Sequence, residues 1–229
     1  MTYRYETHCH TKPVSACGHA TVRETLEFYK KMGYDGVFIT NHFLDGNIGI
    51  AWDTPVKEKL DFYFSDYEEG VKLAEEIGIK VFLGVEMSYG GTDFLVFGLS
   101  KEWWYEHTEA LNERKSRQLP YLMEEGALVV HAHPFREAGY IDHIRLFPRG
   151  VEGVEVLNAE RTDFENHMAD LYANEYGKIK TAGSDNHWAG GAKRLAGLCC
   201  EEAVESVEDF IQKLRDGKMN IFEITNVRD

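Results

Sequence analysis

Histidines and carboxylates recur along this chain at spacings that suit metal ligation. His8 and His10 are separated by one residue, so in an extended segment both imidazoles point to the same side. Asp185 and His187 repeat this spacing near the other end of the chain. Imidazole nitrogens and carboxylate oxygens are ligands that Zn, Mn and Fe accept, and a bridging carboxylate can hold two cations within about 4 Å of each other. Either pair alone is a weak signal, but together with the other candidate ligands at strand ends they predict a cluster of divalent metal ions.

The elements that must position these side chains are predicted strands. Helix-period stretches alternate with short apolar runs, a pattern typical of an α/β domain with a mainly parallel sheet. In such folds functional groups collect where strands end and loops begin. The residues at or just after predicted strand ends are His8, His10, His42, Glu86, His133, Asp185 and His187. In a closed sheet these ends share one mouth, so residues distant in the sequence can meet.

Apolar runs and turn residues predict the element boundaries within one domain over 1–229. The predicted strands are 3–7, 36–40, 80–85, 94–97, 127–130, 153–157, 179–182 and 221–224. Predicted helices run from the Thr21–Glu24 capping box to Gly33, from about 55 to 78, from 103 to 125 with a break at Pro120, from 163 to 176, and from 207 to 214.

Several polar residues are expected to play minor roles. His131 lies two residues before His133, on the same face of the strand, and is interpreted as a partner that orients a ligand. Cys9 points away from its neighbours and is expected to be a small packed residue. The remaining histidines lie in helical or loop segments and are expected at the surface: His19, His107, His143 and His167.

Composition limits the partners. The formal net charge of −14 argues against a general nucleic-acid surface, which needs clustered Lys and Arg, so long nucleic acid is not an expected partner. A charged substrate therefore needs a local positive site, which bound cations can supply. No apolar run approaches the roughly 18 residues of a membrane helix and no signal-like segment opens the chain, which predicts a cytoplasmic protein without a membrane partner. The cysteines form no CxxC pair and are expected to be reduced.

Five short motifs occur in a specific order along most of the chain. They are HCHT at 8–11, ITNH at 39–42, GVE at 84–86, HPFR at 133–136 and GSDNH at 183–187. In this order and spacing the sequence resembles the PHP family, the polymerase and histidinol phosphatase domain. The resemblance implies a distorted seven-stranded (β/α) barrel with two or three divalent metal ions at its C-terminal mouth. It also implies hydrolysis of phosphate esters.

The resemblance assigns most ligands residue by residue. It implies that His8 and His10 bind the first ion and that Asp185 completes this site. Glu86 corresponds to the bridging carboxylate between ions. His133 corresponds to a ligand of the second ion. The first metal site of the family is therefore expected to be complete in this chain.

The candidate ligands of a third ion match the family pattern less well. The resemblance assigns His42 and His187 to it, but the loop 12–19, where the family commonly has an acidic or histidine ligand, contains no clear match. Asn41 stands where the family commonly has Asp, and Asp93 is the nearest substitute for a further histidine after the GVE motif. These departures leave open whether two or three ions bind and whether they are Mn, Zn or Fe.

For a small phosphomonoester, the ions would bind phosphate oxygens and activate a water molecule. Arg136, Arg194 and Lys12 are candidate phosphate clamps, because a cation beside the site can hold phosphate oxygens. Asp185 or His187 can protonate the leaving oxygen, although metal ligation competes with that role. Two alternatives remain: a phosphodiesterase acting on nucleotides or nucleic-acid ends, and a non-catalytic, metal-stabilised accessory module. The sequence leaves the natural substrate and the oligomeric state open.

Overall fold

A mixed β-sheet that curves into a nearly closed barrel dominates the computed structural model, which describes residues 2–227. Its nine strands are β1 (Tyr3–Cys9), β2 (Gly36–Ile39), β3 (Lys80–Tyr89), β4 (Thr92–Phe97), β5 (Leu128–Ala132), β6 (Gly153–Asn158), β7 (Ile179–Gly183), β8 (Arg194–Cys200) and β9 (Asn220–Thr225). They are ordered β7-β6-β5-β4-β3-β2-β1-β8-β9. The end of β7 returns to β1, where Thr7 Oγ1 donates to Ala182 O at 2.7 Å and Asp185 N donates to His8 O at 2.7 Å.

The predicted α/β barrel class is confirmed, with two differences in the sheet. Parallel pairing joins β1 to β2, β2 to β3, β5 to β6 and β6 to β7, whereas β4 runs antiparallel to β3 and β5. Strands β8 and β9 extend the sheet beside β1 in antiparallel pairs. The prediction of a mainly parallel sheet is therefore correct for only half of the pairings, and the strand count exceeds seven.

Strand β8 was not predicted, and Gly197 accounts for the missing signal. Glycine weakens the strand pattern because it has no side chain to pack. In the structure a Cβ at this position would overlap the carbonyl oxygen of Tyr5 on the neighbouring strand. Glycine is thus needed for close approach of the two backbones, and the same residue hides the strand from sequence reasoning.

Most of the helices connect one strand to the next along the chain. They are α1 (Val22–Lys31), α2 (Val56–Ile77), α3 (Lys101–Glu106), α4 (Lys115–Glu124), α5 (Asp163–Glu175) and α6 (Val207–Arg215), with a 3₁₀ helix at Thr108–Asn112. The Thr21–Glu24 capping box is present. The single helix predicted over 103–125 is wrong: the chain breaks at Glu113 and Arg114, whose backbones are extended, and Pro120 lies inside α4. Over 2–227, no helix is both long enough and apolar enough to span a bilayer.

An aromatic layer fills the barrel below the predicted site. Tyr5, Phe38 and Phe82 are buried on three adjacent strands, and each comes three or four residues before a predicted ligand. Phe210 of α6 packs against Phe38 with ring centroids 4.4 Å apart. Burying a large apolar side chain contributes about 1.5–3 kcal/mol. This layer therefore gives the strand ends a rigid base.

Gly183, at the end of β7, offers a test of how tightly this base is built. A Cβ at Gly183 would overlap His8 Cβ and lie 2.9 Å from Glu155 Oε1. We expect Gly183→Ala to lower the free energy of unfolding by about 1–3 kcal/mol, as overpacking does. Urea unfolding of chelator-treated protein measures this change. Gly139→Ala is the matched control, because nothing lies within 4 Å of its added methyl group; equal midpoints for the two variants would contradict the packing described.

Candidate metal centre

The seven strand-end residues predicted as ligands meet at the mouth of the barrel. Among the described residues, three groups offer ligand atoms that all lie within 4.8 Å of one another. The groups are His8 with Glu86 and His133, His8 with His10 and Asp185, and His10 with His42 and His187. Residues up to 179 positions apart in sequence are therefore brought together, as the strand-end placement predicts.

Glu86 lies at the centre of these groups. Its Oε1 atom is 3.0 Å from His8 Nε2 and 3.5 Å from His133 Nε2. Its Oε2 atom is 3.4 Å from His10 Nε2 and 2.6 Å from His42 Nδ1. Each carboxylate oxygen thus faces a different pair of imidazoles. This is the arrangement that a carboxylate bridging two cations requires.

The charge of the centre is set by opposing effects on each pKa. Burial disfavours the ionised form of Glu86, but the facing imidazoles of His42 and His8 outweigh burial and hold its pKa well below its usual range. Burial likewise disfavours protonated His8, but carboxylates including Asp185 raise its pKa well above the usual value. A raised pKa keeps an imidazole protonated to higher pH, and only the neutral ring binds a cation. Metal binding therefore releases protons and becomes more favourable as the pH rises.

Glu155, which was not predicted, holds two of the candidate ligands. Its Oε1 atom lies 2.9 Å from His8 Nδ1, and its Oε2 atom accepts the His133 N–H at 3.0 Å. A carboxylate on the outer nitrogen fixes the orientation of a ligating imidazole. Because Nδ1 of His8 faces Glu155, Nε2 faces Glu86. The available signal was a fully buried carboxylate within an apolar strand, the same argument that identified Glu86.

Removing the charge of Glu155 is expected to weaken metal binding about 10- to 100-fold, the usual effect of losing such a partner. Glu155→Gln retains the shape of the side chain but can no longer pair with the imidazole as an anion. Titration against a chromogenic chelator measures the affinity. Glu124→Gln, on an exposed position of α4, is the control. Unchanged affinity in Glu155→Gln would show that His8 is oriented by other contacts.

Ser15 and Asn41 fix the orientation of His10. Ser15 Oγ donates to Asn41 Oδ1 at 2.8 Å, so it can only accept from His10 Nδ1, 3.1 Å away. The hydrogen of His10 is therefore on Nδ1, and the lone pair of Nε2 faces the centre. Asn41 Nδ2 also donates to Thr11 Oγ1 and Asp66 Oδ2. Asn41, which departs from the family pattern, thus secures the loop after β1.

The residues fit divalent metal ions. Three buried atoms facing the centre lack a hydrogen-bond partner among the described residues: His10 Nε2, His42 Nδ1 and Glu86 Oε2. The last two lie 2.6 Å apart without hydrogen-bond geometry. Metal–ligand bonds of about 2.0–2.2 Å place neighbouring ligand atoms roughly 3–3.5 Å apart. The donor separations of 2.6–3.5 Å around Glu86 are close to that range.

Two ligand candidates adopt unusual backbone conformations. His133 has φ of 28° and Asp185 has φ of 55°, both in the left-handed region that non-glycine residues rarely occupy. A backbone hydrogen bond holds each residue. The N–H of His133 donates to Glu155 Oε2, and the N–H of Asp185 donates to His8 O. Such strain concentrates at functional sites. The sequence carried no signal for it.

A cavity of about 420 Å³ opens beside these ligands. Arg136, predicted as a phosphate clamp, lines it, and so does Arg161, which was not predicted. The Nε atoms of both are buried and have no hydrogen-bond partner among the described residues. Asp93 also lines the cavity, with Oδ2 3.4 Å from Arg136 Nη1 and 3.9 Å from His133 Nε2. It belongs to none of the three ligand groups.

The structure does not place the other two predicted clamps in the cavity. Lys12 is exposed and does not line it. Arg194 is also outside the lining, and its guanidinium is already engaged by Asp163 Oδ1 at 2.8 Å and by the carbonyl oxygens of residues 158, 159 and 161. Arg194 therefore secures the loop that carries Arg161.

The interpretation of His131 as a partner of a ligand is wrong. Its ring is buried against Phe94, with centroids 5.2 Å apart, and neither ring nitrogen has a hydrogen-bond partner within residues 2–227. Burial and the neighbouring His133 lower its pKa to about 3, so it is neutral. The prediction assumed regular strand alternation, which the positive φ of His133 interrupts. Cys9 is buried as predicted and packs beside Phe38 O.

Cys17 is a further group at the centre that sequence reasoning missed. Its Sγ atom lies 3.2 Å from His42 Nε2. Burial disfavours the thiolate, but hydrogen bonds from His187 and His42 outweigh it and lower the pKa to about 6. It belongs to the loop 12–19, where no match to the family ligands was found. The available signal was that cysteine is also a metal ligand.

Comparison with solved structures shows which fold this is. A two-domain protein from Bacteroides vulgatus, containing a domain predicted to be a PHP-like metal-dependent phosphoesterase, matches 97% of this chain with a TM-score of 0.68 at 15% identity, and this chain spans 65% of it. PsfC from Pseudomonas syringae matches 98% of this chain, and 91% of its own chain, at a TM-score of 0.61 and 16% identity. An amidohydrolase from Chromobacterium violaceum, with bound sulfate and no metal, matches 94% of this chain and 97% of its own chain. The TM-score is 0.55 and the sequence identity is 14%.

No protein-family model and no curated protein sequence matches the chain. The structural similarities nevertheless show that the chain has the fold shared by these PHP-like and amidohydrolase structures, as the motif order predicted. The ligand groups at the barrel mouth support binding of divalent metal ions.

Proposed function

We propose that the protein hydrolyses small phosphomonoesters with two or three divalent metal ions at the barrel mouth. The observation that carries this proposal is Glu86, whose two carboxylate oxygens face four imidazoles directly beside a cavity lined by two arginines. Cations held there, together with Arg136 and Arg161, create a positive site in a chain of net charge −14. An anionic substrate needs such a site.

The metal ligands of the proposed enzyme are the residues of the three groups. They are His8, His10, His42, Glu86, His133, Asp185 and His187. Divalent ions bound to them would neutralise phosphate charge and lower the pKa of water towards neutrality. Arg136 and Arg161 would hold phosphate oxygens through charge-assisted hydrogen bonds.

His187 is better suited than Asp185 to protonate the leaving oxygen. Burial opposes the charge of Asp185, but His8 and the other facing imidazoles hold its pKa well below its usual range, so it remains ionised. His187 lines the cavity, and its Nδ1 donates to Asp185 O at 2.9 Å. Burial disfavours protonated His187, but contacts with Cys17 and Asp185 outweigh it and raise the pKa. Ligation through Nε2 would compete with proton transfer.

The cavity favours a small substrate. A volume of about 420 Å³ lies within the roughly 300–1,000 Å³ typical of small-molecule pockets. The acidic chain disfavours long nucleic acid. A phosphodiester of comparable size remains an alternative, because the same ions and arginines can bind it.

Hydrolysis of a carbon–nitrogen bond is a second candidate, because the chain also resembles the Chromobacterium violaceum amidohydrolase. That structure contains sulfate, which has the tetrahedral shape and negative charge of phosphate. The two arginines in the present cavity favour an anionic phosphate over a neutral amide.

The test uses protein purified without chelator, with Mn, Fe and Zn quantified by elemental mass spectrometry. We expect more than one ion per chain and hydrolysis of p-nitrophenyl phosphate faster than of bis(p-nitrophenyl) phosphate. Activity should be lost on chelation and return on reloading. Faster diester hydrolysis would identify a phosphodiesterase, whereas release of ammonia from amides without phosphate release would favour the second candidate. A metal-free protein, or activity unaffected by chelation, would contradict the proposal.

A further inference from the structure

The third ligand group, whose role rests on the proposed metal centre, consists of His10, His42 and His187. His10 Nδ1 is engaged by Ser15 Oγ, so His10 has one nitrogen, Nε2, for a cation. That nitrogen is claimed by two groups, the one with His8 and Asp185 and the one with His42 and His187. A single lone pair binds one ion. If His10 serves the first group, the other retains only His42 and His187 and needs another ligand.

Cys17 lies beside this pair, although it belongs to none of the three ligand groups. Its Sγ atom is 3.2 Å from His42 Nε2, and it also interacts with the His187 side chain. Zinc–sulfur bonds of about 2.3 Å and zinc–nitrogen bonds of about 2.0–2.1 Å place S and N on one tetrahedral ion roughly 3.5 Å apart. The observed separation is within a few tenths of an ångström of this value.

The three histidines near Cys17 offer ligand atoms that lie within 4.8 Å of one another. The His10 ring lies between those of His42 and His187, with centroids 4.3 Å from each. Nδ1 of His187 donates to Asp185 O, which leaves Nε2 free. The buried Nε2 of His10 has no hydrogen-bond partner in the described part of the chain. Because that nitrogen is needed by the group of His8 and Asp185, a cation held by His42 and His187 requires a further donor.

The loop that carries Cys17 is held in place on both sides. Ala16 N donates to Asn47 O at 2.9 Å, and His19 N donates to His187 O at 2.8 Å. Gly18 lies so close to Thr11 that a Cβ would be 2.7 Å from its carbonyl carbon. The thiol is thus positioned by backbone contacts rather than by a chance rotamer on a free loop.

We propose that the Cys17 thiolate is a metal ligand, completing with His42 and His187 the third ion site of the centre. A thiolate selects borderline-soft ions such as Zn, Fe and Co over Mn and Mg. The chain therefore compensates for the missing acidic or histidine ligand with sulfur, and the third site should differ in metal preference from the Glu86-bridged sites, which offer only nitrogen and oxygen.

The test replaces the native ions with cobalt(II) and records absorption spectra of the wild type and of Cys17→Ser. We expect a near-ultraviolet sulfur-to-cobalt charge-transfer band in the wild type and its loss in Cys17→Ser, with the visible ligand-field bands of the remaining cobalt retained. Cys17→Asp should restore the cobalt content of the wild type without the charge-transfer band. Cys199→Ser, which removes a cysteine elsewhere in the chain, should keep the band.

The outcomes separate this inference from the proposed function. Cobalt bound with ligand-field bands but without a charge-transfer band would overturn the role of Cys17 and leave the metal centre and its activity intact. Persistence of the band in Cys17→Ser would also overturn it. Failure of the wild type to bind any cobalt would overturn both the inference and the proposed metal centre. Circular dichroism of each variant checks that a lost band does not reflect unfolding.

Discussion

Replacing Glu86 with glutamine is expected to lower kcat/KM for a phosphate ester by at least about 100- to 1,000-fold, the effect of losing one preorganised electrostatic contact. Glutamine has the same shape but no charge, and one of its two terminal atoms is an amide nitrogen that cannot bind a cation. Because each Glu86 oxygen faces a different pair of imidazoles, one half of the centre loses its ligand and the other keeps only an uncharged amide oxygen. Metal content per chain should therefore fall together with activity.

The measurement is elemental mass spectrometry and steady-state kinetics on the same preparation. Glu175→Gln, at an exposed position near the end of α5, is the matched control and should retain both metal and activity. Loss of activity with the full metal content would assign Glu86 a role other than ligation. Full activity in Glu86→Gln would remove the central observation behind the proposed function.

The strand-end rule explains why most of the candidate site was predictable. Parallel strands carry their functional groups at one edge, so the positions of His42, Glu86 and His133 after apolar runs were sufficient to place them together. The rule predicts where a side chain lies in the fold, but it does not predict how that side chain is oriented. Orientation depends on partners such as Glu155 and Ser15, whose contacts arise only when distant segments pack.

Failures of sequence reasoning have local physical causes. His131 was misinterpreted because a positive φ at His133 ends the regular alternation, and φ at a non-glycine residue leaves no trace in composition. Strand β8 was missed because Gly197 is needed for a close backbone approach. The antiparallel direction of β4 follows from the tight turn after β3, where Gly90 and Gly91 both have positive φ. Only the last of these has a sequence signal, the Gly-Gly pair, and it was not used.

The sequence also did not identify all of the arginines that line the cavity. Arg161 follows the end of β6 by three residues, so the rule that identified the ligands applies to it as well. Arg194 was named as a candidate because it lies in the loop after His187, and Arg161 was not considered. The structure shows that Arg194 instead binds the carbonyl oxygens of the loop containing Arg161. Proximity in sequence identified the residue that supports the loop, not the one that lines the cavity.

Arg136 and Arg161 are therefore expected to bind substrate together. Each contributes a buried Nε without a partner in the structure described, and each lines the cavity beside the metal ligands. A hydrogen bond to a charged group contributes about 1.5–3 kcal/mol, so Arg161→Met should lower kcat/KM roughly 10- to 150-fold. The double variant with Arg136→Met should lose about 1,000-fold or more. Metal content should remain at the wild-type value, because neither arginine belongs to a ligand group.

Kinetics with p-nitrophenyl phosphate and inhibition by inorganic phosphate distinguish this role from a structural one. If the arginines hold phosphate oxygens, the inhibition constant for phosphate should rise in each variant, while the midpoint of urea unfolding changes little. Arg149→Met, at an exposed position away from the cavity, is the matched control. Unchanged phosphate inhibition in the double variant would mean that the metal ions alone bind the anion, and the selectivity for phosphate over amide substrates would then need another explanation.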